Sequence, residues 1–215
     1  MNKIYCFWTG TNEITPARVN GLNELQLKSG CDVVLITPEN LPEYITEPLH
    51  PAYEYLSLVH RSDYLRAYFM HYHGGGYSDI KPGVHSWLSA FNKLGNSWVL
   101  GYKELGPGVV AICTHKPMMQ RTLQSNWHQL IGCGAFICKP HTFFTSEWLR
   151  EADDLLTYKY DLLKKYPGNT LGNNAGYPLL WTELLGDIFH PLVLKYNDKI
   201  VQDNSIKPDF TKNYR

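Results

Sequence analysis

The chain has 215 residues, 44% of them apolar and 19% charged, with 20 Lys and Arg balanced by 20 Asp and Glu. A chain of this size buries roughly 70% of its unfolded surface around one core without help from disulfides or metals, so intrinsic disorder is excluded. The formal net charge of zero argues against a protein that grips duplex nucleic acid, because each neutralised phosphate must be met by a Lys or Arg and there is no surplus.

Taken in chain order, the pattern predicts a strand over residues 3–8, a helix beginning at Thr15 and Pro16, and a second strand over 32–37. Thr15 suits the N-cap and Pro16 the first helical position, Val19, Leu22 and Leu25 repeat along one face, and Gly30 closes the helix. Such a strand, helix and strand favour a parallel pair with a right-handed crossover. A Pro-rich, acidic loop leads to a long helix over 52–72, ended by Gly74, Gly75 and Gly76, then to a short strand over 77–80 with a turn at Pro82 and Gly83. Strands are expected over 97–102, 109–113 and 135–138, helices over 117–128 and 143–166, and finally a helix over 177–185 and a strand over 192–196. The expectation is an α/β, Rossmann-like single domain spanning 1–215, with helices flanking a mixed sheet that is mainly parallel in its first half.

The cysteines, Cys6, Cys31, Cys113, Cys133 and Cys138, show no CxxC spacing and read as buried reduced thiols, with Cys133 and Cys138 on opposite faces of one strand. No stretch approaches the roughly 18 to 20 apolar residues of a membrane span, and the expected compartment is reducing and cytoplasmic.

Open α/β sheets hold ligands at the carboxyl ends of their strands. That brings together Trp8, Thr9 and Gly10 after the first strand, Thr37 and Pro38 after the second, and Asp79, Ile80 and Lys81 after the strand that follows the glycines. A plain strand-ending turn explains the first two segments equally well. Neither GxGxxG after the first strand nor GxxxxGK[ST] anywhere is present, so a nucleotide must be held in another way.

The segment running from Arg61-Ser62-Asp63 through Arg66 to Gly74-Gly75-Gly76-Tyr77-Ser78-Asp79-Ile80-Lys81 carries the chemistry. Asp63 and Arg66 have the spacing of an ordinary intrahelical ion pair, and one glycine is explained by a helix cap. The order of the parts resembles the DXD-type GT-A sugar transferases, in particular the family-32 and capsular polysaccharide synthesis enzymes, whose pattern is roughly S-D-x-x-R followed by G-G-x-Y-x-D-x-D. Ser62, Asp63, Arg66, the glycines with Gly76, Tyr77 and Asp79 match, Tyr77 standing one residue nearer the glycines than usual. The resemblance covers the first hundred residues or so. The chain is also similar to viral glycosyltransferase domains of the chlorella-virus kind.

The resemblance implies an enzyme that moves a hexose or deoxyhexose from a UDP-sugar donor to a glycan or other hydroxyl acceptor, in polysaccharide or glycoprotein glycan synthesis. Trp8, Thr9, Gly10, Thr37, Asp63, Arg66, Gly76, Tyr77 and Asp79 would bind the nucleotide sugar, and Asp79 and Lys81 would act in catalysis. In the family an acidic pair holds Mn²⁺ or Mg²⁺ against the diphosphate, and here Lys81 replaces the second acid. Either Lys81 itself faces the diphosphate and the metal is dispensable, or it points away and Asp79 shares the metal with diphosphate oxygens, water and a C-terminal ligand such as His190 or another acid. Family-32 resemblance favours retention at the anomeric carbon; an inverting enzyme needs a carboxylate base, for which Glu104, Glu147 and Asp187 are equal candidates. His60 and Arg61 read as solvated helix residues, and Asn173 to Pro178 is loosely similar to the family's C-terminal donor segment. A catalytically silent nucleotide-sugar or glycan binder is the alternative, and a nucleotidyltransferase is disfavoured because no glycine-rich basic loop is present.

Overall fold

The computed structural model describes residues 2–82 and 85–211, so Gly83, half of the expected turn, lies outside the described residues. Strand β1 (Lys3–Phe7), helix α1 (Pro16–Ser29) and strand β2 (Asp32–Ile36) form the expected parallel unit, with Lys3 opposite Asp32 and Phe7 opposite Ile36. Thr15 caps α1 by accepting from the Arg18 amide, and Gly30 ends it at φ +70°, where a side chain would be strained.

The next helix divides where a continuous one was expected. A 3₁₀ turn (Pro51–Tyr55) precedes α2 (Leu58–Tyr72), and Ser57 starts α2 by accepting from the His60 amide at 3.2 Å. After α2 come β3 (Gly75–Ser78), α3 (Leu88–Leu94), β4 (Val99–Lys103), α4 (Pro117–Ser125), β5 (Ile131–Cys138), α5 (Phe143–Lys165), α6 (Gly186–Lys195) and β6 (Ile200–Gln202). The six strands lie in the order β2-β1-β3-β5-β4-β6. β1 pairs parallel with β2 and β3, β5 runs antiparallel to β3 and β4, and β6 is parallel to β4. The mixed sheet, parallel in its first half, is as expected.

Helices α2, α5 and α6 cover one face over a core that includes Phe69, Phe136, Trp148 and Phe189, while α1 and α3 cover the other over Ile4, Leu25, Trp87 and Leu100. Buried aromatic rings dominate the first core. Phe136 and Phe189 stand 5.1 Å apart, and Trp148 and Phe189 4.8 Å apart, so α6 is clamped to β5 and α5.

Several later expectations are corrected. Residues 109–113 form no strand: the Ala111 amide is spent on His190 and that of Cys113 on Asp187, leaving no ladder to join. Residues 177–185 form turns rather than a helix, and 192–196, expected as a strand, lie in α6 and its cap. There Ile188, Phe189, Leu192 and Val193 are buried at helical spacing, which the short run Leu192-Val193-Leu194 conceals. Cys133 and Cys138 pack against the same core rather than opposite faces, because the β4–β5 ladder shifts register between Gly101 and Lys103. The five cysteines are free thiols.

Candidate functional site

Strand β3 runs between β1 and β5 and delivers Asp79 just past its carboxyl end, where the Asp79 amide donates to Gly134 O at 2.8 Å. Helix α1 braces the turn from below through Arg18 Nη1, which donates to Ile80 O at 3.2 Å. The carboxylate is heavily engaged. Tyr77 donates its hydroxyl to Oδ1 at 2.7 Å, Lys81 Nζ donates to Oδ2 at 2.5 Å, and Arg66 Nη2 lies 3.5 Å from Oδ1. Burial pushes the Asp79 carboxyl up, but Arg66, Lys81 and Tyr77 outweigh it and hold it below its ordinary value. Burial also raises the Tyr77 hydroxyl, which therefore remains a donor.

Arg66 joins the helix to this turn. Its Nη2 is 3.3 Å from Asp63 Oδ1, its Nη1 donates to Cys133 O at 3.1 Å, and its guanidinium lies 4.4 Å from the Tyr77 ring centre. The intrahelical pair with Asp63 exists, yet the guanidinium also turns inward to Asp79. Asp63 is buried, and burial raises its carboxyl against the pull of Arg66. A buried guanidinium must be paired to be tolerated, and here two carboxylates and a carbonyl share it.

Asp63, Arg66 and Asp79 line a cavity of about 340 Å³, together with Tyr102, Glu104, Cys133, Gly134, Trp181 and His190. A Cβ at Gly134 would sit 3.2 Å from the Tyr102 hydroxyl and 3.4 Å from Asp79 Oδ2, so glycine there lets β5 run close past the carboxylate. The Ala111 amide donates to His190 Nδ1 at 3.0 Å, while His190 Nε2 lies 3.2 Å from Glu104 Oε2 and 3.5 Å from Cys133 Sγ. Burial opposes a charge on this ring, but Cys133 and Glu104 outweigh it and push its pKa up to about 10, a direction that the Ala111 contact opposes. The amide aimed at Nδ1 decides for the neutral ring with its proton on Nε2, since an imidazolium has no lone pair to receive it. Both ring nitrogens of His190, the expected metal ligand, thus have protein partners in this structure.

A second cavity, of about 200 Å³, opens at the ends of β1 and β2 and is lined by Trp8, Thr9, Thr37, Pro38, Tyr53 and Arg61 among others. Trp8, Thr9 and Thr37 are thus brought together as expected, although Thr9 spends its hydroxyl on Leu58 O at 2.6 Å. At Gly10 and Gly76 the chain also packs too closely for a side chain: a Cβ on Gly10 would meet Leu58 at 2.8 Å, and one on Gly76 would meet Trp87 at 2.9 Å. Sequence reasoning missed Tyr53 and Arg61, whose guanidinium lies 5.6 Å from the Tyr53 ring centre and donates to Glu54 O. It also took His60 for a solvated residue. His60 is buried, stacks on Tyr177 and lies 3.2 Å from Leu180 O, and so ties the segment bearing Trp181 to α2.

One solved structure, "PaToxG Glycosyltransferase", superposes on 90% of this chain and 69% of its own with a TM-score of 0.56 at 14% sequence identity. The two share a fold. No family model and no curated protein matches the sequence. In this mixed sheet flanked by helices, one cavity lies at the ends of β1 and β2 and the other is lined from β3, β4 and β5.

A divalent cation can be tested against the residues at Asp79. Among the described residues no three His, Cys, Asp or Glu side chains gather into a metal site. The surrounding charge nevertheless calls for a cation when an anion binds. Asp63, Asp79 and Glu104 face the cavity against Arg66, with Lys81 already paired to Asp79, and a diphosphate would add further negative charge. One carboxylate completed by diphosphate oxygens and water is ordinary ligation for Mg²⁺ and its relatives, so Asp79 fits such an ion only in company with a nucleotide.

Proposed function

We propose that the protein is a GT-A-type glycosyltransferase, with a UDP-sugar as donor and a glycan or other hydroxyl compound as acceptor. The observation that carries this reading is the cluster of Asp79, Lys81 and Arg66 at the end of β3, where Asp79 and Arg66 line one cavity, with a second cavity at the β1 and β2 ends. The base and ribose are assigned to the second cavity, beside Trp8, Thr37 and Arg61, and the diphosphate to Asp79. Arg66, fixed by Asp63 and the Cys133 carbonyl, holds Asp79 in place and keeps positive charge beneath the leaving group. Lys81 exchanges its contact with Asp79 for phosphate oxygen when donor binds. A Mn²⁺ or Mg²⁺ ion held by Asp79 would supply Lewis-acid stabilisation of the departing diphosphate.

Calorimetry tests the reading. Mn²⁺ alone gives no binding heat, UDP with Mn²⁺ binds, and Asp79→Asn weakens UDP in the presence of Mn²⁺ by about tenfold or more, as expected when one charge-assisted contact worth 1.5–3 kcal/mol is lost. Equal UDP affinity in the variant contradicts the assignment. A second reading rests on Lys81: an ammonium where the family has an acid is also what a silent nucleotide-sugar binder would show. Tight UDP binding without any UDP release from a UDP-hexose would select that reading.

A further inference from the structure

The larger cavity changes character from its floor to its mouth. Asp63, Tyr102, Glu104 and His190 lie deep and buried, engaged with Arg66, with the Gly134 amide or with each other. Among the described residues, the lining side chains that face solvent most are all large and apolar: Leu105 is 49% exposed, Val109 55%, Trp181 61% and Phe210 37%. Resting on the transferase reading above, we propose that this mouth binds an acceptor whose hydroxyl is carried on an apolar body, an aryl or alkyl alcohol rather than a sugar.

Single exposed apolar side chains are ordinary on a protein surface, whereas a group of them around one opening marks a binding site. Three separate segments build this lip. The loop after β4 supplies Leu105 and Val109, the turns before α6 supply Trp181, and the segment after β6 supplies Phe210. Each segment is tied down. The Leu105 amide donates to Glu104 Oε1 at 2.8 Å, and His60 holds the Leu180 carbonyl next to Trp181. The Phe210 ring stands 5.9 Å from that of Tyr102 and 4.8 Å from Lys81 Nζ. Through Phe210 the apolar lip is continuous with the Asp79 and Lys81 end of the site, where the diphosphate is assigned.

The chemistry of the lip separates two kinds of acceptor. A sugar carries a hydroxyl on nearly every carbon, and each one pressed against Leu105 or Val109 gives up water without gaining a partner. Among the described residues no Asn or Gln lines the cavity to receive such groups. An alcohol with an apolar body loses no hydrogen bond there and removes apolar surface of both partners from water. The faces of Trp181 and Phe210 suit such a body, whether ring or chain.

In the transfer, the alcohol oxygen forms the bond to the anomeric carbon as the bond from that carbon to the diphosphate oxygen breaks. The electron pair of the broken bond leaves with UDP, and the alcohol proton goes to solvent.

The test measures glucosyl transfer from UDP-glucose with Mn²⁺ to 2-phenylethanol, 1-hexanol and methyl β-glucoside, together with UDP affinity by calorimetry, for the wild type, Trp181→Ala and Val109→Ser. The better of the two alcohols is expected to exceed methyl β-glucoside in kcat/KM by about tenfold or more, since one uncompensated hydroxyl is enough for that ratio. Which alcohol is better tells an aryl from an alkyl body. Trp181→Ala raises the KM for that alcohol about tenfold and Val109→Ser about threefold, with UDP affinity within twofold of wild type in both. Methyl β-glucoside used as well as either alcohol overturns the proposal, and so does an unchanged alcohol KM in both variants. Loss of UDP affinity in both variants would make the lip part of the donor site and also overturns it. If the wild type releases UDP from UDP-glucose in water yet glucosylates neither alcohol, the proposal fails while the transferase reading stands. If it binds no UDP and releases none, the transferase reading fails, and this proposal with it.

Discussion

Lys81 stands two residues beyond Asp79, and the distance of 2.5 Å from its ammonium to the carboxylate explains how Asp79 can stay ionised in a largely enclosed turn. The Asp79 carboxyl lies below its unfolded value, so its contribution to stability is full above about pH 4 and is lost as pH falls through the folded-state pKa. Arg66 is less replaceable than its charge suggests. One planar group meets Asp63, Asp79 and the Cys133 carbonyl, a geometry that a lysine ammonium cannot reproduce. Arg66→Lys is therefore expected to lower UDP release about 10- to 100-fold, equivalent to one or two charge-assisted hydrogen bonds, while secondary structure by circular dichroism is retained. Wild-type turnover in that variant would show that the fork has no part in holding Asp79.

At the scale of elements, the site depends on where α2 starts. Ser57 caps the helix, and both its amide and the His60 ring meet the Tyr177 hydroxyl, at 3.2 and 2.9 Å, so the turns bearing Trp181 are pinned to the N-terminus of α2. Tyr177→Phe removes these bonds without changing shape. It should cost about 1 kcal/mol, seen as a small fall in the urea midpoint, and should raise amide exchange in residues 177–185 more than in α5. Uniform exchange across both would separate the segment from this anchor. The βα unit at the chain's start was readable because Thr15, Pro16 and Gly30 are local signals that need no tertiary partner. The later elements were not, because their backbone groups bond to distant side chains: the Ala111 amide to His190, the Cys113 amide to Asp187. Such contacts, 79 and 74 residues apart, leave no trace in local periodicity.

For the whole molecule, sheet order decides what the sequence could only hint at. Setting β3 between β1 and β5 places Asp79 beside Gly134, and the antiparallel return of β5 carries Cys133 to both Arg66 and His190. The motif residues Asp63, Arg66, Tyr77 and Asp79 were legible because they are close in sequence and keep a fixed order. Glu104 read as one of several equivalent acids, since the cavity it lines is built from β4, β5 and α6. Lys81 was visible as an anomaly, but its pairing with Asp79 was a matter of side-chain direction.

The most direct measurement is a crystal structure of the protein with a UDP-sugar and Mn²⁺. The expected result is a diphosphate held at Asp79 together with the ion, with Lys81 turned onto a phosphate oxygen and the base beside Trp8 and Thr37. A diphosphate bound away from Asp79, with the Lys81 to Asp79 contact intact, would contradict it.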